Sequence, residues 1–505
     1  MANSVRSGPI RLFAARASED SSSARFAKRG DRVSKEAIMS VLLPEGLAAF
    51  SSSLRGACLT TASPDYDKAR GIWNALADKR PAIIVQCTGA ADVMDAVKFA
   101  RKHALLIAVR GGGHNVAGNA TCDDGMVIDL SRMNAVRVDP VARRARASGG
   151  ATLGDVDRET QAFGLAVPLG IVSQTGIAGL TLCGGLGWLR RKYGLSCDAL
   201  VSADVVTADG GFVTASASQN SDLFWGLRGG GGNFGIVTSF EYQLYPVGPT
   251  VTLCAPFYAL DHCADIVRRW RDFVADAPDE FSSNLTIWSV PPAPPFPPEL
   301  HGKAVVIPSG VHAGDLDAGA KYVQPLRELG KPLLDLSGPW PYTTVQSAFD
   351  PFFAKGERLN YWKSLYLDRL DNNAIDHIVM RAAERPSPWS LLDIWQLGGA
   401  LARTGPEETA LGARDTPYLL SIDSSWTDPG KTKASIAWTR DFWTEMRPFS
   451  RDRVYLNFPG QGEEGETLLR ASYGDANYER LIDLKTKYDP ENVFRLNQNI
   501  RPRAL

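Results

Sequence analysis

The chain lacks an excess of either charge. Its 55 Lys and Arg face 56 Asp and Glu, a formal net charge of -1, so no global field draws it to nucleic acid or an anionic membrane. No apolar run approaches the ~20 residues of a membrane span. There is no HExxH, the six histidines are scattered, and no Cys/His spacing suits zinc. The seven cysteines are odd in number and form no CxxC, which points to reduced, mostly buried thiols rather than a disulfide framework. The first thirty residues have no apolar signal core, and Glu19 and Asp20 argue against a transit peptide. Residues 1–40 are expected to be a disordered tail, and a cytoplasmic location follows by default. No internal repeat is evident.

What is present is an ordinary globular balance, 44% hydrophobic and 22% charged, over 505 residues. That length suggests two or three lobes. PDYDKARGIWNALADKR (64–80) reads as a helix leading into the strand PAIIVQC; the helix AADVMDAVKFARKH and the strand LLIAVR follow. This strand–helix–strand order indicates an α/β lobe. Short strands then dominate, interrupted by a helix-like GDVDRETQAFG, up to a boundary near Val247. Residues 248–450 are expected to form a second lobe, an antiparallel sheet backed by helices, and residues 451–505 a separate closing segment. The fold class is α+β.

The 47 glycines are not spread evenly. Gly111, Gly112 and Gly113 follow a strand, between Arg110 and His114-Asn115; such a bend lets backbone amides approach a pyrophosphate. Arg110 could add charge-assisted contacts. Six glycines fall between Gly170 and Gly187, and Gly229–Gly235 forms a third block. Three such loops are costly in backbone entropy and favour a long, flat cofactor. No GxGxxG with a following acid is present, which disfavours a nicotinamide site.

RGGGHNVAGNATCDDGMVIDLSRMNAVRVDP, TGIAGLTLCGGLGWLRRKYGLSCD and LRGGGGNFGIVTSFEY resemble the FAD-binding (PCMH-type) lobe of the vanillyl-alcohol oxidase superfamily. NYERLIDLKTKYDPENVFRLNQNI is similar to the end of berberine bridge enzyme-like oxidases. The resemblance implies FAD bonded covalently to His114 through its 8α-methyl group, a reaction a neutral imidazole can perform. Many such proteins add a cysteine link early in the second block. Val172 stands there, so a single link is expected; Cys183 is an alternative second attachment, although a packed thiol suits it better. The resemblance further places Gly111 to Asn115 on the pyrophosphate. Gly170, Thr175, Gly176, Gly179 and Gly185 fall along the flavin and its phosphates, Gly235 and Val237 near the adenine. Asn497 and Asn499 return to the isoalloxazine. Thr175 falls where the family gates oxygen.

The substrate side is less fixed. Alternation in Val454-Tyr455-Leu456-Asn457-Phe458 puts Tyr455 and Asn457 on one strand face. Similar oxidases carry a Tyr and an Asn there, which makes Tyr455 a base or orienting phenol and Asn457 a substrate-positioning group. Tyrosine is a weak base unless its neighbours favour the anion. In LLDIWQLGG either Trp395 or Gln396 forms pocket wall, depending on register; Asp423 offers a carboxylate. The function expected is an oxidase passing hydride from an alcohol or amine carbon to FAD, with dioxygen as acceptor and hydrogen peroxide as product. The alternatives are a dehydrogenase with another acceptor and a flavin-holding protein without turnover. The expected partners are a small-molecule substrate and dioxygen, with no nucleic acid or membrane.

Overall fold

A computed structural model describes residues 44–462 and 465–504, so the tail expected over residues 1–40 lies outside the described residues. Four strands form the first sheet in the order Ala57–Thr60, Ile83–Gln86, Met126–Asp129, Ile107–Arg110. The last three run parallel. Parallel strands are covered on both faces, which is why IIV and MVI are uninterrupted apolar runs. The helix Ala90–Lys102 buries Val93, Ala96, Val97 and Ala100 against this sheet, the one-sided spacing of an amphipathic helix.

A second, five-stranded sheet is antiparallel, in the order Val136–Asp139, Arg144–Ser148, Ile236–Gln243, Leu200–Val206, Phe212–Ser216. The helix Leu153–Gln161 begins with a capping box between Thr152 and Asp155. Beyond Gly248 the chain enters a nine-stranded sheet whose pairings are all antiparallel. Side chains alternate across its central strands. Leu285, Ile287, Leu392, Ile394, Leu420 and Ile422 join a core with residues of the helices Cys263–Val274, Asn372–Ala383 and Thr432–Met446. The opposite face carries Thr286, Trp288, Leu391, Asp393, Trp395 and Asp423, and it looks into a cavity.

The last helix, Asp475–Tyr488, carries Lys485, whose ammonium is fully buried. It pairs with Asp489 at 2.7 Å and donates to the carbonyls of Asn233 and Phe494, each at 2.8 Å. Phe494 sits in the core of the first sheet, so this segment is tied to both the third glycine block and that sheet.

Two local expectations fail. The stretch 64–80 is helical only over Tyr66–Arg70, because Gly71 ends it in an extended conformation. Trp73 is thereby freed to stack on the His114 ring. Val454–Phe458 is a turn, with the Phe458 amide donating to the Tyr455 carbonyl at 2.9 Å, and no strand forms there. All seven cysteines are free thiols and six are buried. No helix among the described residues is long and apolar enough to cross a membrane.

Candidate active site

One cavity of about 670 Å³ lies between the glycine loops and the nine-stranded sheet. Its first wall is backbone. Gly111–Asn115, Gly170, Val172, Thr175, Gly176, Gly179, Gly232, Gly235, Val237, Asn497 and Gln498 all line it. Glycine is required here by close approach. A Cβ on Gly112 would sit 2.4 Å from the Gly176 nitrogen, and one on Gly176 would sit 2.3 Å from the Gly112 nitrogen. A Cβ on Gly179 or Gly232 would meet nothing within 4 Å, so both leave open space along the wall.

His114 opens on the same cavity. Its ring stacks on Trp73 with centroids 4.4 Å apart and planes 19° apart. Trp73 is itself held by an indole N–H bond to the Phe353 carbonyl at 2.7 Å and a backbone bond to the Gly113 carbonyl at 3.0 Å. Nε2 of His114 is buried and has no hydrogen-bond partner among the described residues. Burial pushes its pKa down to about 4, so the imidazole is neutral near pH 7. Asn497 uses its Nδ2 on the carbonyls of Gly232 (3.0 Å) and Phe494 (3.1 Å), and its Oδ1 is likewise buried and unpartnered.

The second block is braced from the other lobe. The Ser173 amide donates to Asp350 at 2.8 Å, and its hydroxyl also bonds that carboxylate. Gln346 donates to the Gly170 carbonyl at 3.0 Å and to Asp157 at 3.1 Å. Asp157 is enclosed, with Oδ1 unpartnered, and burial raises its pKa to about 7.

The second wall is side chain. Trp288, Trp362, Trp395 and Phe458 supply aromatic surface, and Thr286, Ser309, Asp393, Asp423, Ser425 and Asn457 supply polar atoms. Asp393 lies opposite Ser421, and Asp423 lies opposite both Leu391 and Trp362, so the two carboxylates are diagonal neighbours on one face. Burial raises Asp393 to about 6. Burial first, and then the Asp393 charge, pushes Asp423 well above the carboxylate range. Register settles the choice in LLDIWQ: Trp395 faces the cavity, and Gln396 points away to the Val274 carbonyl at 2.5 Å.

Five expected site residues stand off the cavity wall. Arg110 turns into the core, bonding the Ala69 carbonyl and lying 3.6 Å from Asp129, and so braces the loop behind the cavity wall. Gly185 is needed for packing: its φ is +91° and a Cβ would be 2.2 Å from Ser196 Oγ. Gln498 lines the cavity where Asn499 does not. Gln396 is on the wrong face. Tyr455 is fully enclosed; its hydroxyl oxygen accepts from the amides of Gly185 (3.0 Å) and Leu186 (3.1 Å) and from Asn457 Nδ2 (2.9 Å). Burial pushes this phenol upward, so it organises the 184–186 loop and holds Asn457 in place.

Asp393, Trp73 and Arg190 escaped the sequence reading. Asp393 shares the face of Trp395 by simple alternation, which was a usable signal. Trp73 was concealed by the helical reading of 64–80. Arg190 is completely buried and spends its donors on the carbonyls of Gln396 (2.7 Å), Gly187 (3.0 Å) and Ser283 (2.6 Å) and on Asn284 Oδ1 (2.8 Å). Its guanidinium lies 5.2 Å from the Trp395 ring centroid and supports that indole from behind the cavity.

Comparison with known proteins agrees with this layout. Residues 81–216 match an FAD binding domain and residues 454–501 a "berberine and berberine like" segment. The chain is 32% identical to the uncharacterized FAD-linked oxidoreductase YgaK of Bacillus subtilis, over 89% of this chain and 98% of that one. It is 31% identical to (R)-6-hydroxynicotine oxidase of Paenarthrobacter nicotinovorans, covering 89% and 97%. The crystal structure of 6-hydroxy-D-nicotine oxidase from Arthrobacter nicotinovorans superposes with a TM-score of 0.79 at 28% identity, covering 89% and 98%.

Proposed function

We propose that this chain, which belongs to the berberine bridge enzyme-like FAD-linked oxidoreductases, is an oxidase that holds its flavin covalently on His114 and oxidises an alcohol or amine carbon in the cavity beneath the nine-stranded sheet. The carrying observation is a single chamber with two unlike walls: glycine backbone with an orphaned imidazole on one side, carboxylates and indoles on the other. Bound there, FAD would supply the hydride acceptor, with dioxygen as the final electron acceptor and hydrogen peroxide as product.

His114 suits the attachment because burial keeps it unprotonated and Trp73 fixes its plane. Val172 lines the chamber where a second thioether would need sulfur, and burial lifts the Cys183 thiol to about 12, so it stays protonated. A single link is therefore the reading. Asn497 and the glycine wall are the residues that would hold the ring and phosphates. On the opposite wall, Asp393 and Asp423 are the carboxyl groups on the cavity surface that can accept a substrate proton. Asn457, fixed by Tyr455 and by the Leu180 carbonyl at 3.1 Å, orients the reacting group.

The test is anaerobic mixing of the purified yellow protein with panels of alcohols, sugars and cyclic amines. Bleaching of the flavin band, followed by peroxide release on admitting air, is the expected result. A bleached protein that recovers only with a quinone would make it a dehydrogenase instead.

A further inference from the structure

The segment Trp73–Ala75 lies between the His114 loop and the nine-stranded sheet. Resting on the covalent reading of His114, we propose that this segment is a bridge through which the sheet positions the imidazole, so that flavin attachment waits on docking of the sheet. Trp73 and Asn74 are then positioning residues for attachment.

On the sheet side, the bridge is zipped to the strand Leu359–Leu367 and the loop before it. The Trp73 indole N–H donates to the Phe353 carbonyl at 2.7 Å, and the Gly356 amide donates to the Trp73 carbonyl at 2.9 Å. The Ala75 amide donates to the Arg358 carbonyl at 3.0 Å. Asn74 and Asn360 exchange a reciprocal pair: Nδ2 of Asn74 donates to the Asn360 carbonyl, and the Asn360 amide donates to Oδ1 of Asn74, each at 2.9 Å. The edge of Trp362, in the same strand, closes on Trp73 with centroids 5.1 Å apart.

On the loop side, the Trp73 amide donates to the Gly113 carbonyl at 3.0 Å, and Asn74 Nδ2 donates to the Val116 carbonyl at 2.7 Å. His114 lies between these two anchors. Oδ1 of Asn74 also accepts from the Leu76 amide at 3.1 Å, so this buried side chain uses both donors and both acceptor positions and its orientation is locked.

The imidazole needs such a hold. Three glycines precede it, Gly113 at φ +71°, and Nε2 has no partner among the described residues. The Trp73 stack is what fixes the ring plane, and the sheet in turn fixes Trp73. Bond formation demands alignment, and a displacement of about 1 Å can cost up to about 100-fold in rate. Trp73 does not itself line the chamber, so it acts on a bound flavin only through His114. The bridge should therefore govern attachment and leave FAD binding, which the glycine wall provides, unchanged.

The attachment balances with dioxygen as oxidant. A bond forms between the imidazole nitrogen and the 8α carbon. One C–H bond of that methyl group and the imidazole N–H bond break, both protons leave, and the electron pair passes through the ring system to dioxygen, giving hydrogen peroxide.

The experiment follows attachment itself. The chain is produced in riboflavin-limited cells, FAD is added in air, and samples are withdrawn over time. Absorbance after gel filtration gives total bound flavin; acid precipitation and the mass of the His114 peptide give attached flavin. Trp73→Phe keeps a ring on the imidazole and should attach nearly as fast as wild type. Trp73→Leu should bind FAD yet attach about tenfold more slowly, about 1.4 kcal/mol in the barrier. Asn74→Ala keeps the indole but cuts it from the sheet, and should fall between the two. Wild-type rates in Trp73→Leu and Asn74→Ala, or a loss of FAD binding that matches the loss of attachment, would overturn the proposal. If Asn74→Ala does not melt cooperatively, the two Trp73 variants decide. Wild type releasing all its flavin in acid would end the covalent reading; wild type keeping it while the variants match its rate would end the bridge alone.

Discussion

The glycine wall takes its groups from three contiguous blocks and presents mainly backbone. The sheet wall takes single residues from strands as far apart as Thr286 and Asp423 and presents side chains. A backbone wall tolerates no Cβ where loops touch, so its composition is forced and conspicuous. A side-chain wall is set by alternation and register, which leave each strand looking ordinary. The two walls should therefore break differently: the first by loss of cofactor, the second by loss of turnover with the cofactor intact.

The largest effect is expected from Gly112→Ala. Its Cβ has backbone on the far side at 2.4 Å and nothing flexible to displace. Overpacking costs about 1–3 kcal/mol even where side chains can yield. The variant should purify colourless or not fold, as read by absorbance and thermal melting. A yellow, stable Gly112→Ala protein would show that the loops are not in contact.

Arg190→Met should come next. It strands three carbonyls in a dry interior and removes support from Trp395, for a loss of about 3 kcal/mol or more in stability. Urea denaturation reads this directly. Asp423→Asn should leave flavin content untouched and lower kcat/KM about 100-fold, roughly 2.7 kcal/mol, on any substrate the enzyme turns over. The same variant should melt close to wild type, since burial holds the Asp423 carboxyl protonated and an amide of the same shape replaces it.

The smallest effect sharpens the contact between the walls. Asp157 has a folded-state pKa of about 7, raised by burial above its unfolded value. The fold therefore holds a proton that the unfolded chain releases, and the stability this contributes is full below about pH 4 and lost as pH rises through about 7. Asp157→Asn should raise the melting temperature by about a few degrees above that pH and progressively less below it. A pH-independent difference would mean Asp157 titrates normally.

Much of the fold was legible because its signals are local. Ile83–Gln86, Ala90–Lys102 and Met126–Asp129 follow from apolar runs and helical spacing, and each forms as read. The stretch 64–80 misled because one glycine outweighs the helical spacing that follows it. His114, Val172, Thr175 and Asn497 reached the cavity because contiguous motifs carried them there. Arg110, Gln396, Asn499 and Tyr455 did not, since a motif fixes backbone position but not which way a side chain turns, and Gly185 did not because its backbone packs against Ser196. Alternation with Trp395 was enough to place Asp393 on the cavity face, but its position beside Asp423 required knowing that Asp393 pairs opposite Ser421, information that exists only once the sheet has formed.

Denaturing the purified protein in acid and separating pellet from supernatant probes the attachment without any substrate. Yellow colour staying with the polypeptide, and a mass increase of one flavin on the peptide containing His114 that is absent from His114→Ala, is the outcome required here. Free flavin in the supernatant with that peptide unmodified would contradict the account of the imidazole, whatever the catalytic activity.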